Sequence, residues 1–198
     1  MKTLFVIVLG SLINLDNVSA FQFLISRPSF VATILGYIAG YPLEGFLIGL
    51  LLELVILDFS PIGGTTIPNG TAAAVVSVLL LGRINPYLCF IIGLFAGELY
   101  SYIEKYLRIF RNLFNRLVER QISSYDFNFG KLVILSMLCD FIVFAIYSYV
   151  VYFVFVSFSG FLNSNYLLNV SRVATLGILF VTLTSLYFKF KNQVRKNA

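Results

Sequence analysis

The residue with the strongest chemical demand is Glu53, set in the run Leu50-Leu51-Leu52-Glu53-Leu54-Val55-Ile56-Leu57. A carboxylate at the centre of an apolar helix costs about 3 kcal/mol on membrane-insertion scales. It therefore needs a proton, a partner from another segment or a ligand. A few residues later comes the richest polar stretch of the chain, Ser60-Pro61-Ile62-Gly63-Gly64-Thr65-Thr66-Ile67-Pro68-Asn69-Gly70-Thr71. Asn69 or Thr71 is placed to cap the apolar segment that follows, and a helix start presents free backbone N–H groups. Gly63, Gly64 and Gly70 allow a ligand close to the backbone. Upstream, Gln22, Ser26 and Arg27 before Pro28 form a second polar island. Amides, hydroxyls and a carboxylate suit a neutral, hydroxyl-rich ligand such as a sugar better than a cation, which would want several carboxylates.

The elements that must hold these groups are apolar. Of 198 residues, 59% are hydrophobic and only 12% charged, against about 25% charged in soluble domains. That excludes a soluble domain, a disordered chain and a nucleic-acid module, and it predicts an all-α polytopic membrane protein. The apolar segments run over 4–15, 30–39, 43–57, 71–81, 86–103, 132–158 and 166–188. A spanning helix needs about 20 residues, which only the last three approach. The earlier four are short or interrupted by Gly40-Tyr41-Pro42 and the 60–70 stretch, a pattern of re-entrant or discontinuous helices in the N-terminal half. Three regions follow: a membrane core over 1–103 carrying the polar loops, a connector over 104–130, and a transmembrane hairpin with a basic tail over 131–198.

Charge orients the last part. Fourteen bases and nine acids give +5, with bases gathered in 105–131 and 189–196 and none in the connector 159–165. The first two regions are expected on the cytoplasmic side and the third outside. Residues 104–121 alternate apolar and arginine positions at helical spacing, which reads as an amphipathic helix in the headgroup region. Asp140 and Arg172, in the last two spans, are expected to pair, and Glu98, near the end of its helix with Lys105 nearby, to reach the membrane interface. The chain has no histidine and two cysteines. Cys89 and Cys139 have no metal spacing and read as small core residues, so no metal or cofactor is expected. The start, Met1-Lys2-Thr3 and then 4–15 before Val18-Ser19-Ala20, imitates a secretory signal. Its single n-region lysine, and Asp16-Asn17 between run and site, favour retention.

Residues 16–28, Asp16-Asn17-Val18-Ser19-Ala20-Phe21-Gln22-Phe23-Leu24-Ile25-Ser26-Arg27-Pro28, followed by Gly36, Gly40, Pro42, Gly45 and Gly49, resemble the IIC membrane subunit of the mannose/fructose/sorbose-type bacterial phosphotransferase system. Leu52-Glu53-Leu54 and the loop Gly63-Gly64 to Ile67-Pro68-Asn69-Gly70 continue that pattern in the same order. The resemblance is strong over residues 12 to about 82 and looser over the aromatic-rich stretch 141–198, where the chain looks short for the family.

What the resemblance implies is a sugar-translocating subunit of a phosphoenolpyruvate-dependent system, in a bacterial cytoplasmic membrane. It would assemble with a IID membrane subunit and cytoplasmic IIA and IIB proteins. Sugar would be held in the membrane by Gln22, Arg27, Glu53, Gly63, Gly64, Thr65, Asn69 and Thr71 and phosphorylated by phospho-IIB. No phosphoacceptor is expected in a chain without histidine. The other readings are a shortened, non-transporting regulatory or scaffold subunit of such a complex, and an unrelated secondary transporter.

Overall fold

The structure, a computed structural model, describes residues 1–18, 25–58, 68–121 and 129–197. Among them are eight helices and no strand: α1 (Lys2–Val18), α2 (Pro28–Ala39), α3 (Pro42–Asp58), α4 (Gly70–Leu80), α5 (Pro86–Gln121), α6 (Phe129–Ser157), the short α7 (Ser159–Leu162) and α8 (Asn165–Asn197). Prolines open α2, α3 and α5, as suits a first-turn position whose N–H has no partner in the helix. Three stretches are long and apolar enough to cross a membrane: Pro86–Arg111, Val133–Ser157 and Asn165–Lys191. The protein is an all-α polytopic membrane protein.

The N-terminal helices are shorter. α2 and α4 have 12 and 11 residues, which at 1.5 Å each is about 18 and 16 Å, roughly half a hydrocarbon core of about 30 Å. α2 ends at Gly40, whose φ of 96° lies in the left-handed region. Its N–H and that of Tyr41 both donate to Gly36 O, at 3.0 and 2.8 Å, closing the helix as Gly-ended helices do. Pro42 then restarts the chain as α3 packed back on α2. The glycines in this hairpin are where backbones touch. A Cβ at Gly36 would stand 3.0 Å from Gly45 Cα, and one at Gly49 2.8 Å from Pro28 O. Small residues let apolar helices approach closely where no hydrophobic gradient drives them together.

α4 is the centre of the core, with every residue from Thr71 to Leu80 buried. It packs on α1, α2, α3, α5 and α6. α1 contributes Val6, Ile7, Ser11 and Asn14 to the buried interior, so the signal-like run is a structural helix here. By contrast α6 and α8 leave most of their apolar side chains exposed, as lipid- or partner-facing spans do.

The ends of the helices define two levels. At one end, Asn163 Nδ2 donates to Arg83 O at 2.7 Å and Asn85 Nδ2 to Ser171 Oγ at 3.2 Å. This fixes the α4–α5 turn beside the α6–α8 connector. At the other, Lys189 Nζ lies 2.8 Å from Asp58 Oδ1 and also donates to the Asp58 carbonyl, while Ser185 Oγ donates to Asp58 Oδ1 at 2.7 Å. This second level is the basic end, toward which α5 carries Arg108 and Arg111.

Three expectations are corrected by these contacts. Asp140 pairs with Arg111 of α5 at 2.9 Å, and Arg172 is exposed. Arg111 reaches Asp140 because 104–121 continues α5 without a break; no Gly or Pro follows Gly97 to stop the helix, so this stretch is not a separate amphipathic helix. Cys139 is exposed on α6, while Cys89 is buried.

Candidate functional site

Arg27, in extended conformation, leads into α2. Arg27 occupies the N-cap position with φ −65° and ψ 140°, and its side chain does not cap the helix. The guanidinium turns instead to Glu53, in the middle of α3, with Nη1 3.0 Å from Oε1. The Glu53 side chain is 20% exposed and that of Arg27 47%, so the pair faces an accessible space rather than the core. A guanidinium beside a carboxylate offers both donors and acceptors in fixed directions.

α4 begins next to it. Asn69 caps the helix as predicted: its Oδ1 accepts from Ala72 N at 2.9 Å. Its own N–H donates to Gly97 O at 3.1 Å. Gly97 lies near the middle of the span Pro86–Arg111, so α4 starts at half-depth of a spanning helix. Asn69 Nδ2 donates to Asn14 Oδ1 of α1 and to Glu104 Oε2 of α5, both at 3.3 Å. The other Glu104 oxygen pairs with Arg108 at 2.9 Å. Asn14 is fully buried beside them, within hydrogen-bonding reach of Tyr100 of α5.

The two groups meet through backbone. Thr71 Oγ1 donates to Ser26 O at 2.9 Å, and Ser26 N donates to Asp16 Oδ2 at 3.3 Å. A Cβ on Gly70 would stand 2.6 Å from Pro28 Cγ and 3.4 Å from Ile56 Cδ1. The N-termini of α2 and α4 therefore converge, with Arg27–Glu53 on one side and the Asn14–Asn69–Glu104 set on the other. Of the predicted site residues, Arg27 and Glu53 are in direct contact, and Asn69 and Thr71 stand beside them through Ser26. Glu53 and Asn69 do not hydrogen-bond to each other. Gln22, Gly63, Gly64 and Thr65 lie outside the described residues.

Asn14 and Glu104 are the members that sequence reasoning missed. Asn14 was visible as an amide inside the signal-like apolar run, but no partner for it could be named from that run. Glu104 heads an arginine-rich stretch that read as surface. Among the described residues no group of three or more His, Cys, Asp or Glu could hold a metal ion.

A helical membrane protein with a glycine-packed hairpin and a helix starting at half-depth beside paired polar groups has the make-up of a transport protein. Residues 1–186 match the family model of the sorbose-specific IIC component of the phosphotransferase system, and the chain belongs to that family. It is thus a multi-pass sugar-permease component of a phosphotransferase system. The match runs through α6 and most of α8, including most of the aromatic stretch where the resemblance was loosest. A solved structure titled "Structure of membrane protein" has the same fold, with a TM-score of 0.77 at 18% identity over 96% of this chain and 79% of that one. No curated protein matches.

Proposed function

We propose that the chain binds sugar at the convergence of the α2 and α4 N-termini and passes it to phospho-IIB at the basic end, as the IIC partner of a IID subunit in a bacterial cytoplasmic membrane. The observation that carries this reading is the start of α4 at half-depth, where Asn69 N–H reaches Gly97 O. Polar backbone at that level is tolerated only where protein buries it or a wet cavity meets it. Here it stands beside a half-exposed carboxylate–guanidinium pair. Glu53 accepts from sugar hydroxyls, Arg27 donates to them, and Thr71 and Asn69 set the helix start against which they act. Gln22, Gly63, Gly64 and Thr65 complete the site in this proposal.

The alternative, a non-transporting regulatory subunit, draws on one observation: Asn69 already uses its amide on three partners, as a brace would. Phosphoenolpyruvate-dependent sugar uptake by vesicles carrying the complex with its IIA and IIB proteins separates the two. Uptake that requires this chain supports translocation. Assembly without uptake of any of a panel of hexoses supports regulation.

A further inference from the structure

At the end of the molecule remote from Lys189 and Asp58 there is a second polar site. A cavity of about 180 Å³ lies between the first turn of α1, the α2–α3 turn, the end of α4 and α6. That is room for about six waters at roughly 30 Å³ each. Lys2, Thr3, Tyr41, Arg83 and Tyr152 line it, over a floor of aliphatic side chains from α1 and α4. Its frame is fixed. Gly82 takes the left-handed φ of 78°, and a Cβ there would collide with the Tyr41 hydroxyl. The next carbonyl, Arg83 O, is held by Asn163.

The charges of this cavity are uncompensated. Arg27, Arg108, Arg111 and Lys189 each have a carboxylate partner, whereas among the described residues neither Lys2 nor Arg83 has one. Glu44, on the first turn of α3, makes no ion pair with either. Two cations sharing one cavity repel each other, and an anion between them turns that repulsion into attraction. Lys2 and Arg83 both stand apart from the basic clusters at the other end, 105–131 and 189–196, which the inside bias of basic residues explains.

We propose that Lys2 and Arg83, with the hydroxyls of Tyr41, Tyr152 and Thr3, bind a phosphate-bearing anion. Arginine matches phosphate with two parallel donors and lysine acts as a point charge, while the hydroxyls supply further donors. The source is either the headgroup of an anionic phospholipid, whose acyl chains would follow the aliphatic floor, or free phosphate. The site is separate from the α2–α4 convergence and does not depend on the sugar reading.

The test uses the delipidated full-length chain in detergent. Phosphatidylglycerol and phosphatidylcholine are offered in equal amounts and retention is read by native mass spectrometry; inorganic phosphate is titrated separately with melting temperature as readout. The expected result is one retained phosphatidylglycerol, preferred at least five-fold over phosphatidylcholine, whose choline would face two cations. Lys2→Gln with Arg83→Gln should reduce that retention about ten-fold, and Tyr41→Phe about three-fold. Lys131→Gln, an exposed change on α6 outside the cavity, should leave it unchanged. If phosphatidylglycerol is not preferred but phosphate raises the melting temperature in a manner lost in the double variant, free phosphate is the ligand and the site stands. Equal retention of both lipids with a phosphate response indifferent to the double variant overturns the proposal. The altered side chains at positions 2 and 83 are exposed, and an unchanged melting temperature without ligand verifies folding.

Discussion

Replacing Glu53 by glutamine separates a ligand-binding carboxylate from a helix tether. The substitution keeps size and one acceptor but removes the charge that Arg27 meets at 3.0 Å. Because the Arg27 side chain is 47% exposed, the pair itself should contribute little to stability, about 0–1 kcal/mol as for accessible ion pairs. Hydrogen bonds from sugar hydroxyls to a carboxylate contribute roughly 1.5–3 kcal/mol each, so losing one weakens binding about ten- to hundred-fold. The two effects thus fall on different measurements. The melting temperature of the purified IIC–IID complex should move little, while the sugar dissociation constant, read by isothermal titration on that complex, rises at least ten-fold. Arg27→Lys, which keeps the charge but loses the planar fork, should give a smaller loss of the same kind. An intact complex of Glu53→Gln that binds sugar normally refutes the reasoning and leaves Glu53 as a tether.

Other outcomes follow from the same contacts. Asn69→Ala removes the α4 cap and leaves Asn14 and Glu104 without its amide, a combined cost of roughly 2–4 kcal/mol. It should lower the melting temperature clearly, and combined with Glu53→Gln it should weaken sugar binding by less than the product of the single effects. Gly45→Ala places a Cβ 2.9 Å from Gly36 Cα and should destabilise by about 1–3 kcal/mol. Gly177→Ala meets nothing within 4 Å and should be neutral or stabilising by thermal melt. With exposed Cys139 first changed to serine, cysteines introduced at Ser123 and Asn192 should resist an impermeant thiol reagent outside intact cells, and one at Ser164 should react; labelling at Ser123 would reverse the orientation. Intact mass should show residues 16–28 retained, since α1 is part of the buried core; a species starting at Phe21 would contradict this.

Much of the fold was legible because bilayer physics leaves few options. Runs long enough to span, such as 132–158 and 166–188, became the spans of α6 and α8. The breaks at Gly40-Tyr41-Pro42 and before Asn69 became a glycine-ended helix and a capped start. The Arg27 and Glu53 positions were legible as polar costs in apolar surroundings, though not as each other's partners. What stayed hidden was pairing. Composition tells which groups are costly to bury but not which helix supplies relief, so Asp140 was assigned Arg172 and met Arg111. Similarly, an arginine-rich stretch of helical period looks the same whether it lies on a headgroup layer or prolongs a span. Only the absence of a helix breaker after Gly97 distinguished the two.

The continuity of α5 has a mechanical consequence for the site. Glu104 holds Asn69 through one oxygen and Arg108 through the other, and one turn further Arg111 holds Asp140 of α6. A single helix therefore connects the half-depth start of α4 to the basic end without a joint. Asn69 Nδ2 has two hydrogens and already shares them between Asn14 and Glu104, at 3.3 Å each, long distances for such bonds. A ligand oxygen that takes one of those hydrogens must displace Asn14 or Glu104. Displacing Asn14 only exchanges one neutral acceptor for another. Displacing Glu104 leaves a carboxylate with Arg108 alone and shifts its balance toward the basic end. Through these contacts Glu104 ties the start of α4 to Arg108 of α5, and the Asn14 contact is the one that can yield without cost to charge.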